Sequence, residues 1–564
     1  MKHFHRKNVI TGIILSCVAG FTYANLVTDS GTLNKQLEQA RQMQAAKVKP
    51  SGELFKTPTQ EENLPTNKES LKFRLDSIKL LELDGNEIQD NLTSITSPYL
   101  HQDITLDDLN RLSQQITNYY RDNNYLVAKA FIPPQEINNG ELQILVIKGS
   151  LDQVLVRNGS RLKDDLVMRM TNTTVKNHPN LVKNELEKLA LLLNDIKGVT
   201  SALSLKAGKN TRTTDLTINL KDNKRWTGYI SLDNQGNDNT GKYRTTLGTK
   251  IYNLVGLGDE LHFDVLASNT FDLYNLRADY SFIIDGYGTR VGVNSNYLKY
   301  KLGANFKDLN AQGSTYNLGG YITHPTIRTA SLRLDSKLAF NHQKLSDEQK
   351  SVDLQQKRKV NTVSIGLSGS WNSIKEGVTY FSFNTTLGKE SHLTNEKKHY
   401  LSESYQPKRT FTTFNYSLSH EQFLPKSFSI TFAVSGQLAD KNLDSGNKFL
   451  LGGLSGVKGY QAGTVSVDEG HIIQAELKHY LPVFSKSMLV SSLFYDTGVG
   501  KQYKNTEKLS ESVENKVRLK SVGVGLNLIE PNNYSINLAY AKPIGKKYNN
   551  VDKNQFWLSA IKTF

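Results

Sequence analysis

Side chains able to make and break bonds are scattered through this chain without a usable spacing. Its twelve His are dispersed and its one Cys is Cys17, so no Cys/His set has metal-ligand spacing. Glycine-rich turns such as Gly256-Leu257-Gly258 lie between two strand patterns, whereas a phosphate loop opens a helix. There is no nucleophile elbow and no ATPase signature. The sequence therefore predicts no enzyme, no cofactor and no metal. Its ordered polar residues are of another kind. Arg244, Lys250, Glu260, Asp264, Arg277 and Asp279 fall in segments where charged and apolar residues alternate. Charge repeated at period two can line a conducting path, or simply solvate the inner wall of a barrel. Asp496 has the same setting. In Phe494-Tyr495-Asp496-Thr497-Gly498, period two puts Phe494, Asp496 and Gly498 on one face, with Leu493 and Tyr495 on the other.

The elements that must position these residues are strands. In Asp259–Ala267, Leu261, Phe263, Val265 and Ala267 face one way, and Glu260, His262 and Asp264 the other. Tyr274–Ile284 and Tyr534–Ala541 alternate similarly. From Trp226 onward about sixteen such segments follow one another, an ordinary number for an outer-membrane barrel. The last, Phe556 to Phe564, puts Phe556, Leu558, Ala560 and Phe564 on one face, with Lys562 the exception. Connectors alternate in length. Gly256-Leu257-Gly258, Asp285-Gly286-Tyr287-Gly288, Pro425-Lys426-Ser427 and Pro531-Asn532-Asn533 are tight, and Ser391–Lys408, Ala439–Gly470 and Tyr503–Asn515 are long. The odd-numbered connectors are expected to be the long, external ones. Residues 223–564 thus predict a 16-stranded transmembrane antiparallel β-barrel of a membrane all-β protein. A soluble sandwich would bury the apolar face instead. Alternation alone leaves inside and outside open, but Tyr534 and Tyr540 at segment ends favour a membrane interface. No stretch approaches the 18 or so apolar residues of a spanning helix, and mean hydropathy is −0.46.

The first 222 residues are different. Residues 1–24 read as a secretory signal peptide: Lys2, Arg6 and Lys7, then an apolar Val9 to Val18, then Thr22-Tyr23-Ala24. Cleavage after Ala24 would leave no cysteine. Within 25–47 a polar helix is expected at 30–47, with a narrow stripe of Leu33, Leu37 and Ala40. Residues 48–70 read as a linker. Residues 71–149 and 150–222 read as two α/β modules of one plan. The first has a strand near Phe73–Leu83 and a helix at Thr105–Asn123. That helix opens on a Thr105/Asp108 capping box and carries Leu109, Leu112, Ile116 and Tyr119 on one face. Strands at Leu126–Ile132 and Glu141–Ile147 flank Asn138-Asn139-Gly140. The second module has helices at Ser160–Met170 and Val182–Lys197 and strands at Leu151–Val156, Thr200–Leu205 and Thr213–Leu220. The formal charge of +15 raises nucleic-acid binding. The basic residues are interspersed with acidic ones, so lumenal and loop charge explains them better and no nucleic acid is expected.

Two soluble modules before a barrel of about sixteen strands resemble the outer-membrane translocators of two-partner secretion. This is the TpsB family of haemolysin-activator, filamentous-haemagglutinin and contact-dependent-inhibition type. The modules resemble POTRA domains. The first carries Tyr125 and Pro133-Pro134-Gln135, similar to the family's tyrosine and Pro-x-Gln turn, with Asn124 where a Gly is usual and Ile147-Lys148-Gly149 at its end. Leu232-Asp233-Asn234 and Asn253 to Asp259 are similar to the family's opening barrel segments. Val457, Lys458, Gly459, Tyr460 and Gln461, between the eleventh and twelfth strands, resemble its Val-Arg-Gly-Tyr loop, with Lys458 for the Arg. Phe494, Asp496 and Gly498 on the thirteenth strand match its Phe-x-Asp-x-Gly motif.

The resemblance implies that this loop folds back into the lumen and that its cation pairs with the barrel-wall carboxylate. Lys458 keeps the charge but lacks Arg's bidentate fork. It implies that the N-terminal helix plugs the resting barrel, though a mobile tail fits the sequence equally. It also implies a function. The POTRA domains, in the periplasm of a Gram-negative bacterium, would recognise a large unfolded TpsA-type exoprotein: a haemolysin, adhesin or contact-dependent toxin. The porin-like channel would export it without ATP as type V secretion. Other expected partners are outer-membrane lipid and, through the strand ending at Phe564, the barrel-assembly machinery. An insertase of the same superfamily and a passive porin are the alternative readings.

Overall fold

The computed structural model describes residues 28–45, 55–56, 72–137, 139–176, 180–210, 213–373, 376–392, 409–484, 486–506, 514–545 and 554–564. The expected signal peptide, the linker apart from Phe55–Lys56, and all but the first two residues of the expected Ser391–Lys408 loop lie outside them.

Sixteen strands, each antiparallel to its neighbours in sequence, close into a barrel that runs from Trp226–Asp233 to Gln555–Thr563. Strand thirteen shows the alternation in burial that period two requires. Leu493 and Tyr495 are exposed beside buried Phe494 and Asp496, because one set faces lipid and the other the lumen. Trp226, Trp371, Phe423, Phe484 and Phe564 are exposed at one rim of the barrel, where aromatic rings settle at a membrane interface. Pro325 and Pro482 sit in strands, each beside a shift in register. A residue without an N–H is tolerated at such bulges. Strands one and sixteen meet over only five residue pairs, Tyr229↔Thr563 to Asp233↔Ser559. The Asn234 side chain extends that seam, donating to Phe556 O and accepting from Leu558 N at 2.7 and 2.8 Å.

The expected rhythm of connectors needs one correction. The third (269–272) and seventh (350–353) are as short as the turns at the opposite end. Length is therefore concentrated in a few odd connectors, above all 440–468 between strands eleven and twelve.

In the first module the Thr105/Asp108 capping box is present, and hydrogen bonds from Thr105 hold the Asp108 carboxyl below the usual carboxylate range. The helix Leu106–Asp122 packs Leu109, Leu112, Ile116 and Tyr120 on Leu142, Ile144 and Val146. Tyr120, not the expected Tyr119, is the buried tyrosine. Its hydroxyl reaches Asp90 at 2.7 Å. The expected strand at Phe73–Leu83 is two short ones, Phe73–Leu75 and Ser77–Leu81, interrupted where Asp76 N donates to Gly140 O at 2.8 Å. Asn124 has φ of 77°, a conformation Asn tolerates better than most residues. Its carbonyl then accepts Lys183 N of the second module at 2.8 Å.

The second module is a sheet in the order Ser150–Gly159, Thr213–Asp222, Val199–Ala207, backed by helices Asp164–Thr171 and Lys183–Asp195. The first helix starts later than expected because Asn158 ties down the turn before it, accepting from Ser160 N and donating to Leu162 O. This module sits on the even-numbered turns. Lys163 N donates to Gly256 O at 2.9 Å, Asn253 Nδ2 to Lys197 O at 2.9 Å and Arg169 Nη1 to Ile284 O at 3.0 Å. Asp195 holds Arg328 and Arg333 at 2.8 and 2.9 Å. Both modules therefore lie at the end opposite the long connector 440–468.

Candidate functional site inside the barrel

Two elements fill the lumen. One is the inward-folded connector 440–468. Its tip meets the wall at Asp496, which is fully buried. Register alone gives Asp496 two polar neighbours: Gln474 opposite it on strand twelve and Ser521 opposite it on strand fourteen. Ser521 Oγ donates to Oδ2 at 3.2 Å and Gln474 Nε2 to Oδ1 at 3.4 Å. The loop supplies the charge. Lys458 Nζ lies 3.0 Å from Oδ1 and the Lys458 backbone N donates to Oδ2 at 3.1 Å. The ammonium also stands 4.3 Å from the centre of the Phe494 ring, an arrangement that favours a cation. Trp557 Nε1 donates to Lys458 O at 2.7 Å, and Gln474 Nε2 to Gly456 O at 2.9 Å.

The other motif residues make this approach possible. A Cβ on Gly498 would stand 2.9 Å from Val457 Cγ2, and one on Gly459 2.7 Å from Ser521 Cβ. Val457 and Tyr460 are buried with Phe449, Leu451, Val465, Val467, Ile472, Val517 and Leu519. The Gln461 carbonyl accepts Thr464 Oγ1 at 2.8 Å and closes the turn. All eight predicted motif residues are thus brought to one place.

The second element is the helix Ser30–Ala45, which runs along the inner wall. Leu33 and Leu37 are buried against Leu266, Leu273, Leu298, Tyr300, Leu302 and Ala311. These wall residues interrupt the polar inner face with an apolar patch, which matches a helix too polar for lipid. Ala40 does not join that cluster. It is half-buried and borders a cleft lined by Gln36, Arg244, Leu454, Ala462 and Trp557. Farther along, Asn34 Oδ1 accepts Asn296 Nδ2 at 2.9 Å, and Arg41 donates to Asn275.

A charged node joins the two elements. Ser30 donates through N and Oγ to the two Asp347 carboxylate oxygens at 2.9 and 3.0 Å. Tyr300 OH donates to the same carboxylate at 2.9 Å. Arg358, 4 % exposed, donates to Asp347 Oδ2 at 2.7 Å and also to Asp444 at the base of the inward loop. Asp444 Oδ1 accepts Gly446 N at 3.1 Å, and a Cβ on Gly31 would stand 2.7 Å from that nitrogen. Burial and then Asp347 push the Asp29 carboxyl, beside this node, above the usual carboxylate range. Nearby, Asp468 is pushed up by burial against the opposing pull of Lys448, whose Nζ is 2.6 Å away. Sequence reasoning missed this node. The available signal was apolar and charged residues out of register: Leu298 and Tyr300 at lumenal positions, and Arg358 on a strand whose neighbours offer carboxylates.

Among the described residues no group of His, Cys, Asp and Glu has the geometry to hold a metal ion. What the site can do is hold the helix and the inward loop in place inside the barrel.

Comparison with known proteins agrees with this architecture. Residues 212–528 match the model of the haemolysin secretion/activation protein ShlB/FhaC/HecB family. The chain belongs to that family. Residues 77–149 match the ShlB-type POTRA domain. The heme/hemopexin transporter protein HuxB of Haemophilus influenzae strain 86-028NP is 52 % identical over 537 residues, covering 95 % of each chain. The outer membrane transporter CdiB of Dickeya dadantii is 22 % identical over 407 residues, 69 % of each. Among solved structures, CdiB from Escherichia coli superposes with a TM-score of 0.73 at 17 % identity, covering 95 % of this chain and 99 % of the other, which is a likeness of fold. As a member of the ShlB/FhaC/HecB family the chain is an outer-membrane translocator with its POTRA domains in the periplasm, and it exports a secreted partner protein.

Proposed function

We propose that the helix Ser30–Ala45 and the connector 440–468 are the two parts of a gate, and that export requires both to move. The observation that carries this reading is the way they are held. Neither is woven into the barrel sheet. Each is fixed by a local set of side chains, Leu33, Leu37 and Ser30 for the helix and Val457, Lys458 and Tyr460 for the loop. A filling held this way can leave without unfolding the wall. In this reading 25–47 carries the plug, 48–70 is its tether, and 71–149 and 150–222 are the POTRA domains that capture the unfolded exoprotein. The high identity to a heme/hemopexin transporter favours a partner used in haem or haemopexin acquisition over the haemolysin, adhesin or toxin expected from the sequence. The exposed aromatic rim meets outer-membrane lipid, and the strand closing at Phe564 addresses the barrel-assembly machinery.

Purified protein in planar bilayers tests the gate. The intact chain should be mostly closed, and deletion of residues 30–45 should raise steady conductance. In cells, Lys458→Ala and Asp496→Ala should each reduce secretion of the partner at equal barrel abundance. Unchanged secretion by both would remove the tip pair from the gate.

A further inference from the structure

Basic residues on the outer wall of the barrel gather most densely around strand fourteen, Lys516–Glu530. Its external end carries Lys516, Arg518 and Lys520 at successive outward positions, with Val517, Leu519 and Ser521 buried between them. The same face then turns apolar, with Val522, Val524 and Leu526 exposed. The neighbouring strands add to this column. Lys501 on strand thirteen is exposed and stands opposite Lys516. Lys542 on strand fifteen is exposed and stands opposite Val522, one outward step beyond Lys520. Two carboxylates border the cluster. Glu469 is already shared between Lys501, at 3.6 Å, and Lys504, and Glu514 precedes the strand. Elsewhere the wall differs. The outward positions of strands one to four, among them Leu232, Leu247, Phe263 and Leu276, hold no Lys or Arg. Outward lysines on strands five to nine are spread out, and none of those strands carries three at its external end.

We propose that the outer wall of strands thirteen to fifteen binds a phosphorylated glycolipid of the outer leaflet, of the lipid A class. Its phosphates would lie on Lys501, Lys516, Arg518, Lys520 and Lys542, and its acyl chains on the apolar band beneath. This rests on the barrel spanning the outer membrane with its modules in the periplasm. The cluster is at the end away from those modules, beside the external connector 502–515, so it faces the outer leaflet. Its depth fits a headgroup. Tyr495 and Tyr540 are exposed just below it, opposite Val522 and Val524, where aromatic rings mark the membrane interface. Its charge calls for an anion. Like charges directly opposite across two strands repel, as Lys501 and Lys516 do, and a phosphate set between them removes that cost. Arg518 brings the planar fork that matches phosphate oxygens. The inner face of the same strands holds Asp496 and Ser521, and Lys520 stands opposite Thr497, next along from that pair. A lipid bound here backs the stretch of wall that receives the loop tip.

The full chain, purified in detergent and stripped of lipid, can be titrated with bisphosphorylated lipid A and followed by native mass spectrometry. Lipid A should bind about tenfold or more tightly than phosphatidylethanolamine, whose headgroup carries no net charge. Arg518→Gln with Lys520→Gln should weaken lipid A binding roughly thirtyfold, as expected for two cations lost from a headgroup surface. Arg518→Lys with Lys520→Arg keeps both charges and should bind as the unaltered chain does. Inorganic phosphate in large excess should not displace the lipid, because it lacks the acyl chains. Equal binding of the two lipids overturns the proposal, and so does undiminished binding by the Gln variant. Loss of binding in the charge-preserving variant would trace the effect to a damaged wall and overturn it too. Displacement by inorganic phosphate would leave an anion site and remove the lipid from it. Insertion into phosphatidylethanolamine vesicles tests the reading beneath. A chain that failed to insert there would sink the membrane assignment, whereas one that inserts and ignores lipid A loses only this site.

Discussion

At its tip the inward loop offers one lysine to one aspartate, and at its base it offers one aspartate to an arginine that already holds another. The tip is embedded in a well-packed apolar cluster around Val457 and Tyr460, so its ion pair is one support among several. The base has a smaller apolar cluster, Leu443 with Leu345, Val360, Phe411 and Ala439, beside its charges. Arg358 bridges Asp347 and Asp444, with Asp29 and Glu390 near and His392 beside Glu390. The tip ties the loop to the wall on strands twelve to fourteen. The base ties loop, wall and helix together. Two anchors on one loop thus differ in what their loss releases: the first frees the loop, the second frees both fillings.

The largest effect is expected at the base. Removing one member of a buried charge cluster leaves the others uncompensated, at a cost of about 3–5 kcal/mol. Arg358→Met should raise the open fraction in bilayers by two orders of magnitude or more, with helix and loop both becoming accessible to reagents at introduced cysteines. If only the loop became accessible, the base would not join the two elements.

Next comes the tip. Lys458→Ala leaves the Asp496 carboxylate with Ser521, Gln474 and the backbone N of residue 458 but no cation, and a double-mutant cycle with Asp496→Ala should report a coupling of about 1–3 kcal/mol. The helix should stay seated. Lys458→Arg should restore secretion, since the cation and its place above Phe494 survive. Combining Lys458→Ala with Arg358→Met should give additive changes if the anchors are separate. Strong coupling would merge them into one.

Gly498→Ala is a finer test of the tip. Its new methyl group would press on Val457 at 2.9 Å, and overpacking of this kind costs about 1–3 kcal/mol. Loop accessibility should rise while Arg358 and the helix are undisturbed.

The difference between the anchors also explains what the sequence disclosed. Sixteen alternating segments were legible because lipid on one side and water on the other impose period two on every strand. Lys458 and Asp496 were legible because each sits in a compact motif. Arg358 and Asp347 are brought together by one hairpin, but neither has a motif around it, and Asp444 joins them only when its loop folds inward. The short third and seventh connectors had no strong signal either, because a turn of four residues at 350–353 follows strands that simply run on beyond the membrane. Tyr120 displaced Tyr119 because a helical stripe is about one residue wide in its uncertainty, and Asp90 offered the deeper ring a partner.

The smallest effect should come from Asp29, where cap and charge oppose each other. Its carboxylate accepts Thr32 N at 2.8 Å and its carbonyl accepts Leu33 N, so it caps the lumenal helix. The same carboxylate faces Asp347 and Asp444, offset by Arg358. Asp29→Ala loses the cap, worth about 1 kcal/mol, and should open the channel about fivefold more often. Asp29→Asn keeps the cap and removes the repulsion, so it should close the channel further. A group whose pKa is raised on seating binds its proton more tightly when seated. Seating should therefore strengthen as the pH falls through that raised value and weaken above it. Openings of the unaltered chain should become rarer toward acid, and those of Asp29→Asn should lose that part of the dependence. If Asn and Ala behaved alike, the cap would be irrelevant. Only the charge would then matter, and the helix would be held by its apolar face and the Arg358 node without help from the cap.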